Sequence, residues 1–191
     1  MLLYYAVRSE TSVALIERGK IMNEIYWILP VLFIFHDFEE IIFMERWVKR
    51  LDREKLYERL PVNLVKKILR HFDNISTTKF AMSVYILYIM LIVCTFISYL
   101  WNLKLFWTSI FLFFTIHLFI LCLQSFFLGG YILAVFTRII CIPICLWILK
   151  FVFTNFLFSL FYITFMTLIV EVIALIVLFG LHILLDALHC I

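Results

Sequence analysis

Charge is what this chain has least of. Asp, Glu, Lys and Arg make up 15% of its 191 residues, against about one quarter in an ordinary soluble domain. A protein of this size keeps much of its surface in contact with solvent after folding. Its 66% hydrophobic and 19% aromatic residues, with a mean hydropathy of +1.11, therefore cannot be hidden from water. That excludes a soluble enzyme, a disordered chain, a collagen-like repeat and a disulfide-stapled secreted fold, and leaves an integral membrane protein. Other absences narrow the function. No Gly-rich loop follows a strand and no Walker-type Lys is present, so nucleotide binding has no signature. No Ser or Cys nucleophile with an evident base is legible, no internal repeat stands out, and the zincin pattern His-Glu-x-x-His does not occur. The cysteines Cys94, Cys122, Cys141, Cys145 and Cys190 form no disulfide framework. Most lie in apolar runs, where Cys acts as a small hydrophobe.

The charge that does exist is unevenly placed. Ten of the sixteen Lys and Arg fall between Arg46 and Lys79, outside the longest apolar runs. This reads as one basic cytoplasmic segment rather than a nucleic-acid surface. Leu56, Leu60 and Leu64 recur at helical spacing within Arg46 to Asp73, which predicts an amphipathic stretch at the membrane surface, interrupted at Pro61. Residues 1–21 differ from the rest and show no clear signal peptide. Glu17-Arg18-Gly19-Lys20 can be encoded wholly by purines just before Met22, as a bacterial ribosome-binding site would be if translated. The expectation is an N-terminal tail preceding a start at Met22, with a genuine short tail as the alternative, and one transmembrane domain over residues 22–191.

Crossing a hydrocarbon core takes about 20 apolar residues. Candidates run from about Glu24 to Phe43 with Asn23 as cap, Phe80 to Trp101, Leu105 to Leu123, Leu128 to Leu149 with Gly129-Gly130 at its start, and Asn155 to Leu185. The last is long enough to require tilt, projection into water, or a break near Gly180. Strand-like alternation is missing. The fold class expected is all-α: a polytopic helical bundle of about five spans in the cell membrane, with the basic segment between the first two in the cytoplasm.

Ionisable residues inside apolar spans are costly and mark function. They are His36, Asp37, Glu39 and Glu40 in the first span, His117 in the third, Arg138 in the fourth and Glu171 in the fifth. On a helix, Glu40 lies about 40° and Glu39 about 60° to either side of His36, while Asp37 points about 100° away. One imidazole and two carboxylates thus share a face, a set able to ligate a divalent transition metal or to place a carboxylate base beside a metal-bound water. The competing interpretation is a satisfied polar network, with Arg138 paired to Glu171 or to one of the two glutamates. His182, Asp186 and His189 make a second helical face, either a further metal site or a polar helix end entering water.

His36-Asp37-Phe38-Glu39-Glu40, with an apolar run before it and Trp47 after it, resembles the signature of the HXXEE family, small and mostly bacterial multi-span membrane proteins of unknown function. The resemblance extends to His117, Gly130, Thr137 and Pro143, and departs from the family's Pro-Gly at Gly129-Gly130. It covers most of the chain after Met22 and implies His36, Glu39 and Glu40 as the functional core, without a substrate.

Three functions compete at this level. The first is a metal-dependent enzyme within the membrane acting on a lipid or other amphiphile. Its metal ligands would be His36, Glu39, Glu40 and His117, with Glu40, Glu171 and Arg138 as catalytic groups. The second is a small proton-coupled transporter using the same carboxylates and imidazoles. The third is a non-catalytic partner protein docking through Arg46 to Asp73.

Overall fold

The computed structural model describes residues 19–50, 53–59, 61–63, 65–66, 69, 76–128 and 135–187. The described chain is helical throughout its length, with short turns between elements. Residues 19–25 are helical, a turn follows at Tyr26 and Trp27, and α1 then runs over Ile28–Arg50. α2 is Arg53–Arg59, α3 Thr77–Leu100, α4 Lys104–Leu128, α5 Val135–Asn155 and α6 Leu160–Ala187. Asn23 therefore lies inside a helical segment instead of capping one. The last span begins at Leu160, because α5 continues to Asn155, and α6 passes through Gly180 unbroken. Its 28 residues are about 42 Å long at the helical rise.

Among the described residues, four helices are long and apolar enough to cross a membrane: Thr77–Leu100, Lys104–Leu123, Phe136–Asn155 and Leu160–Leu181. α1, at 23 residues, matches them in length but not in composition, because the His36 to Glu40 stretch interrupts it. The protein is a multi-pass membrane bundle in which α1 is the polar member.

Ring contacts fix the directions. Tyr26 packs edge-on against Tyr99 and Trp107, while Phe33 meets Tyr88 and Phe114. α1 thus runs antiparallel to α3 and alongside α4 in the same direction. α3 and α4 are joined by a Schellman turn: Asn102 takes a left-handed φ of 52° and Leu103 N–H donates to the Ser98 carbonyl at 2.9 Å. Asn tolerates that conformation better than other non-glycine residues. At the far end of α5, the Lys104 ammonium sits over the Phe156 ring at 4.4 Å, so α5 runs back against α4. Helices α1, α3, α4 and α5 close a ring in which each packs on the next, and α6 lies outside it against α3 and α4.

The core of this ring comes from three helices. Tyr26, Leu29 and Leu32 meet Trp107, Phe111, Phe114 and Leu118 of α4 and Cys141, Cys145, Ile148 and Val152 of α5, at spacings that place each set on one helix face. Lipid tails are as apolar as these side chains, so their contact is held by close packing and not by exclusion of water. Polar groups must then be satisfied within the bundle. Ser83, Ser98, Thr108, Ser109, Thr115 and Thr167 do so by donating to the carbonyl four residues earlier. Pro30 creates a further requirement. It lacks the N–H that would bond the Tyr26 carbonyl, and the Trp107 indole Nε1–H donates to that oxygen instead, at 3.1 Å.

Trp107→Phe leaves the Tyr26 carbonyl buried without a donor, and is expected to lower stability by about 1–3 kcal/mol, read as a lower unfolding midpoint in detergent. In a Pro30→Ala background the helix can supply its own N–H, so the same change should cost less. Equal losses in both backgrounds would show that the indole bond is not what matters.

The candidate polar centre

α5 begins at Val135, so Thr137 and Arg138 stand in its first turn. The opening N–H groups of a helix have no partner inside it, and their dipoles concentrate positive potential there. The second half of α1 lies against this point. Glu39 Oε2 accepts the Thr137 backbone N–H at 2.8 Å, so a carboxylate of α1 caps an amide in the first described turn of α5. His36 Nδ1 and the Thr137 hydroxyl are 3.1 Å apart and share one hydrogen. Arg138 Nη2 donates to Glu40 Oε1 at 3.3 Å, with side-chain exposures of 3% and 8%. Each named member of His36-x-x-Glu39-Glu40 therefore attaches to the single dipeptide Thr137-Arg138.

Two further contacts bind the cluster. Arg138 Nη1 donates to the Leu121 carbonyl of α4 at 3.2 Å, so one guanidinium joins α1, α4 and α5. His36 Nε2 faces Glu40 Oε1 at 3.5 Å, and the two are one turn apart on α1. His36 is fully buried, with its ring edge-on to Phe114 at 6.5 Å. The centre lies at the end of the bundle where α1 leads into the basic connection to α3.

The other residues singled out from the sequence are placed differently. His117 is half-buried on α4, beside Phe113 and within electrostatic reach of Arg138 and His36. It makes no hydrogen bond or ion pair among the described residues. Glu171 is half-buried on α6, a helix that packs on α3 and α4, and it too makes no such bond. The guanidinium chooses Glu40 from the partners the sequence allowed. The backbone at His182 and Asp186 is helical. Their side chains, together with His189, Gly129-Gly130, residues 1–18, Leu60, Leu64 and the side chain of Leu56, lie outside the described residues.

Glu39 Oε2 accepts a backbone N–H, His36 Nδ1 shares a hydrogen with a hydroxyl and Glu40 Oε1 accepts from a guanidinium, while His36 Nε2 makes no hydrogen bond. Among the described residues no three His, Cys, Asp or Glu come close enough to hold an ion. Spacing on α1 showed which side chains share a face; it did not show what that face meets. Thr137 is the partner of the motif that periodicity missed, although the family resemblance includes it. Its signal was position, in the first turn of an apolar helix and next to the one Arg of that span.

The model of a protein family of unknown function with an HXXEE motif matches residues 27–148. The chain belongs to the HXXEE family. No curated protein and no solved structure matches it. In this HXXEE protein the matched region contains both halves of the contact, the motif on α1 and Thr137-Arg138 on α5.

Removing one partner of a buried ion pair leaves an uncompensated charge, at a cost of about 3–5 kcal/mol. Glu40→Gln and Arg138→Met are each expected to lower the unfolding midpoint in detergent strongly. The double variant should lie closer to the wild type than the sum of the two losses implies; strict additivity would mean that the two side chains are not coupled.

Proposed function

We propose that this membrane protein acts on a lipid or other amphiphile, with His36 and Glu40 as its proton-exchanging pair and Arg138 as the group that balances charge. The observation that supports this reading is the 3.5 Å approach of His36 Nε2 to Glu40 Oε1 inside a buried, three-helix polar centre. The two groups would pass a proton on closing by a few tenths of an ångström, to the roughly 2.6–3.2 Å that proton transfer needs, and general acid–base catalysis needs a proton carrier held in place. Thr137 fixes the imidazole through its other nitrogen, and Arg138 fixes the carboxylate. A substrate for such a centre approaches from within the bilayer, which favours an amphiphile with a polar head. The basic excess between Arg46 and Lys79 supports a cytoplasmic position, at the cell membrane, for the adjoining end of the bundle. No role in this centre is assigned to Glu171.

A second reading has its own support. Every motif side chain has a partner in Thr137-Arg138, so the motif also serves as a structural fastener between α1 and α5. On that reading the protein is a scaffold and the chemistry is elsewhere.

Lipid extracts of cells producing wild type or His36→Gln at matched membrane levels separate the two. The acid–base reading predicts at least one amphiphile whose abundance changes several-fold with the wild type and not with the variant. Identical profiles, with both proteins folded, would contradict it. Divalent metal that co-purifies with the wild type and is lost from the variant would replace the pair by a metal centre.

A further inference from the structure

Asp37 takes no part in the contacts described so far. It occupies a wild-card position of the motif, yet it is only 7% exposed, and its Oδ2 is buried with no hydrogen-bond partner. An ionised carboxylate in such a place is strongly unfavourable unless something compensates it. Asp37 and Glu40 stand three residues apart on α1, which makes their side chains neighbours on the helix surface. Glu40 is already shared between Arg138 and His36.

Of the carboxylates on α1, Asp37 and Glu40 are buried and Glu39 is half-buried, and Arg138 of α5 pairs with Glu40. α4 brings the imidazole of His117 within electrostatic reach of His36 and Arg138. α3, the other helix packed on α1, has no carboxylate or guanidinium; its one ammonium, Lys79, is in its first turn, at the same end of the bundle as the cluster. The His36 Nε2 atom is likewise buried without a hydrogen bond. Asp37 Oδ2 thus remains a buried acceptor with no hydrogen-bond donor among the described residues.

We propose that Asp37 and Glu40 form a binding site for a small monovalent cation, with the Asp37 carboxylate as its principal ligand. Such an ion is hard and accepts carboxylate oxygens and water, so it does not need the set of three nitrogen, sulfur or acidic donors that a transition metal requires. Intramembrane ionisable residues mark ion pathways in membrane proteins. The site adjoins the His36–Glu40 pair but does not depend on that pair doing chemistry.

Sodium is the probe. Full-length protein in detergent or nanodiscs is melted in choline chloride and in rising sodium chloride at constant ionic strength. A specific site raises the midpoint saturably, by about 5 °C when sodium is a hundred-fold above its dissociation constant. Asp37→Asn, which keeps the shape and removes the charge, should abolish the rise. Glu45→Gln, on the exposed side of the same helix, should retain it. A wild type indifferent to sodium, with Asp37→Asn equally stable in choline, would show a proton at Asp37 and overturn the proposal. A sodium-dependent rise that survives in Asp37→Asn would overturn it as well. Should Asp37→Asn fail to fold, broadening of the sodium-23 resonance by wild type decides: saturable broadening supports the site, and none refutes it. Lipid profiles are not read in this experiment, so its failure leaves the acid–base reading standing.

Discussion

A carboxylate from one helix set against the opening N–H of another is the contact on which the polar half of this bundle depends. Glu39 meets the Thr137 N–H at 2.8 Å, where the unpaired amides and dipole of α5 favour a negative charge. Once that contact is made, the geometry of a helix dictates its neighbours. Glu39 and Glu40 flank His36 on one face of α1, and Thr137 and Arg138 are consecutive on α5. One imidazole therefore reaches a hydroxyl and one carboxylate reaches a guanidinium. The spacing of the motif is the spacing needed to grip the first turn of a helix from the side.

The membrane gives this grip its weight. Apolar helices in lipid gain little from touching one another beyond the fit of their surfaces. α1 also carries a composition that lipid does not welcome, and among the long described helices it is the one that fails the test of apolarity for a span. Its polar residues are accommodated because α5 and α4 present an N–H, a hydroxyl and a guanidinium held by the Leu121 carbonyl. At the other end of α1, Pro30 opens a gap in the backbone bonding and the Trp107 indole closes it. The polar member of the bundle is thus pinned at two levels, by a side chain of α4 and by the start of α5.

Much of this was legible in the sequence, because helical periodicity is a local property. The apolar runs placed the second span to within three residues at either end and the others to within about seven, and the turn angle put His36, Glu39 and Glu40 on one face. Arg138 was a foreseeable partner for a glutamate, since a lone guanidinium in an apolar helix must be compensated. What the sequence could not show was azimuth, the direction each face takes in the assembled bundle. His117 and Glu171 looked equivalent to the motif residues as intramembrane ionisable groups, yet one stands beside the cluster and the other on the flank of an outer helix. The capped group was hidden for a different reason: it is a backbone N–H, which every non-proline residue possesses. The start of α6 at Leu160 was missed because it falls within an apolar stretch, while the break at Tyr26 and Trp27 had a signal in Pro30, which leaves the Tyr26 carbonyl without a helical donor.

The central claim is that the motif on α1 grips the first turn of α5, and it is tested most directly by a distance across that joint in a lipid bilayer. With carbon-13 in the Glu side-chain carboxyls and nitrogen-15 in the Arg guanidinium groups, solid-state dipolar recoupling reports any pair in contact. The structure predicts dephasing of a carboxyl signal at the range of the 3.3 Å Glu40–Arg138 bond, lost in both Glu40→Gln and Arg138→Met. A full-length protein folded in its bilayer that shows no such dephasing, or keeps it in both variants, would contradict the account.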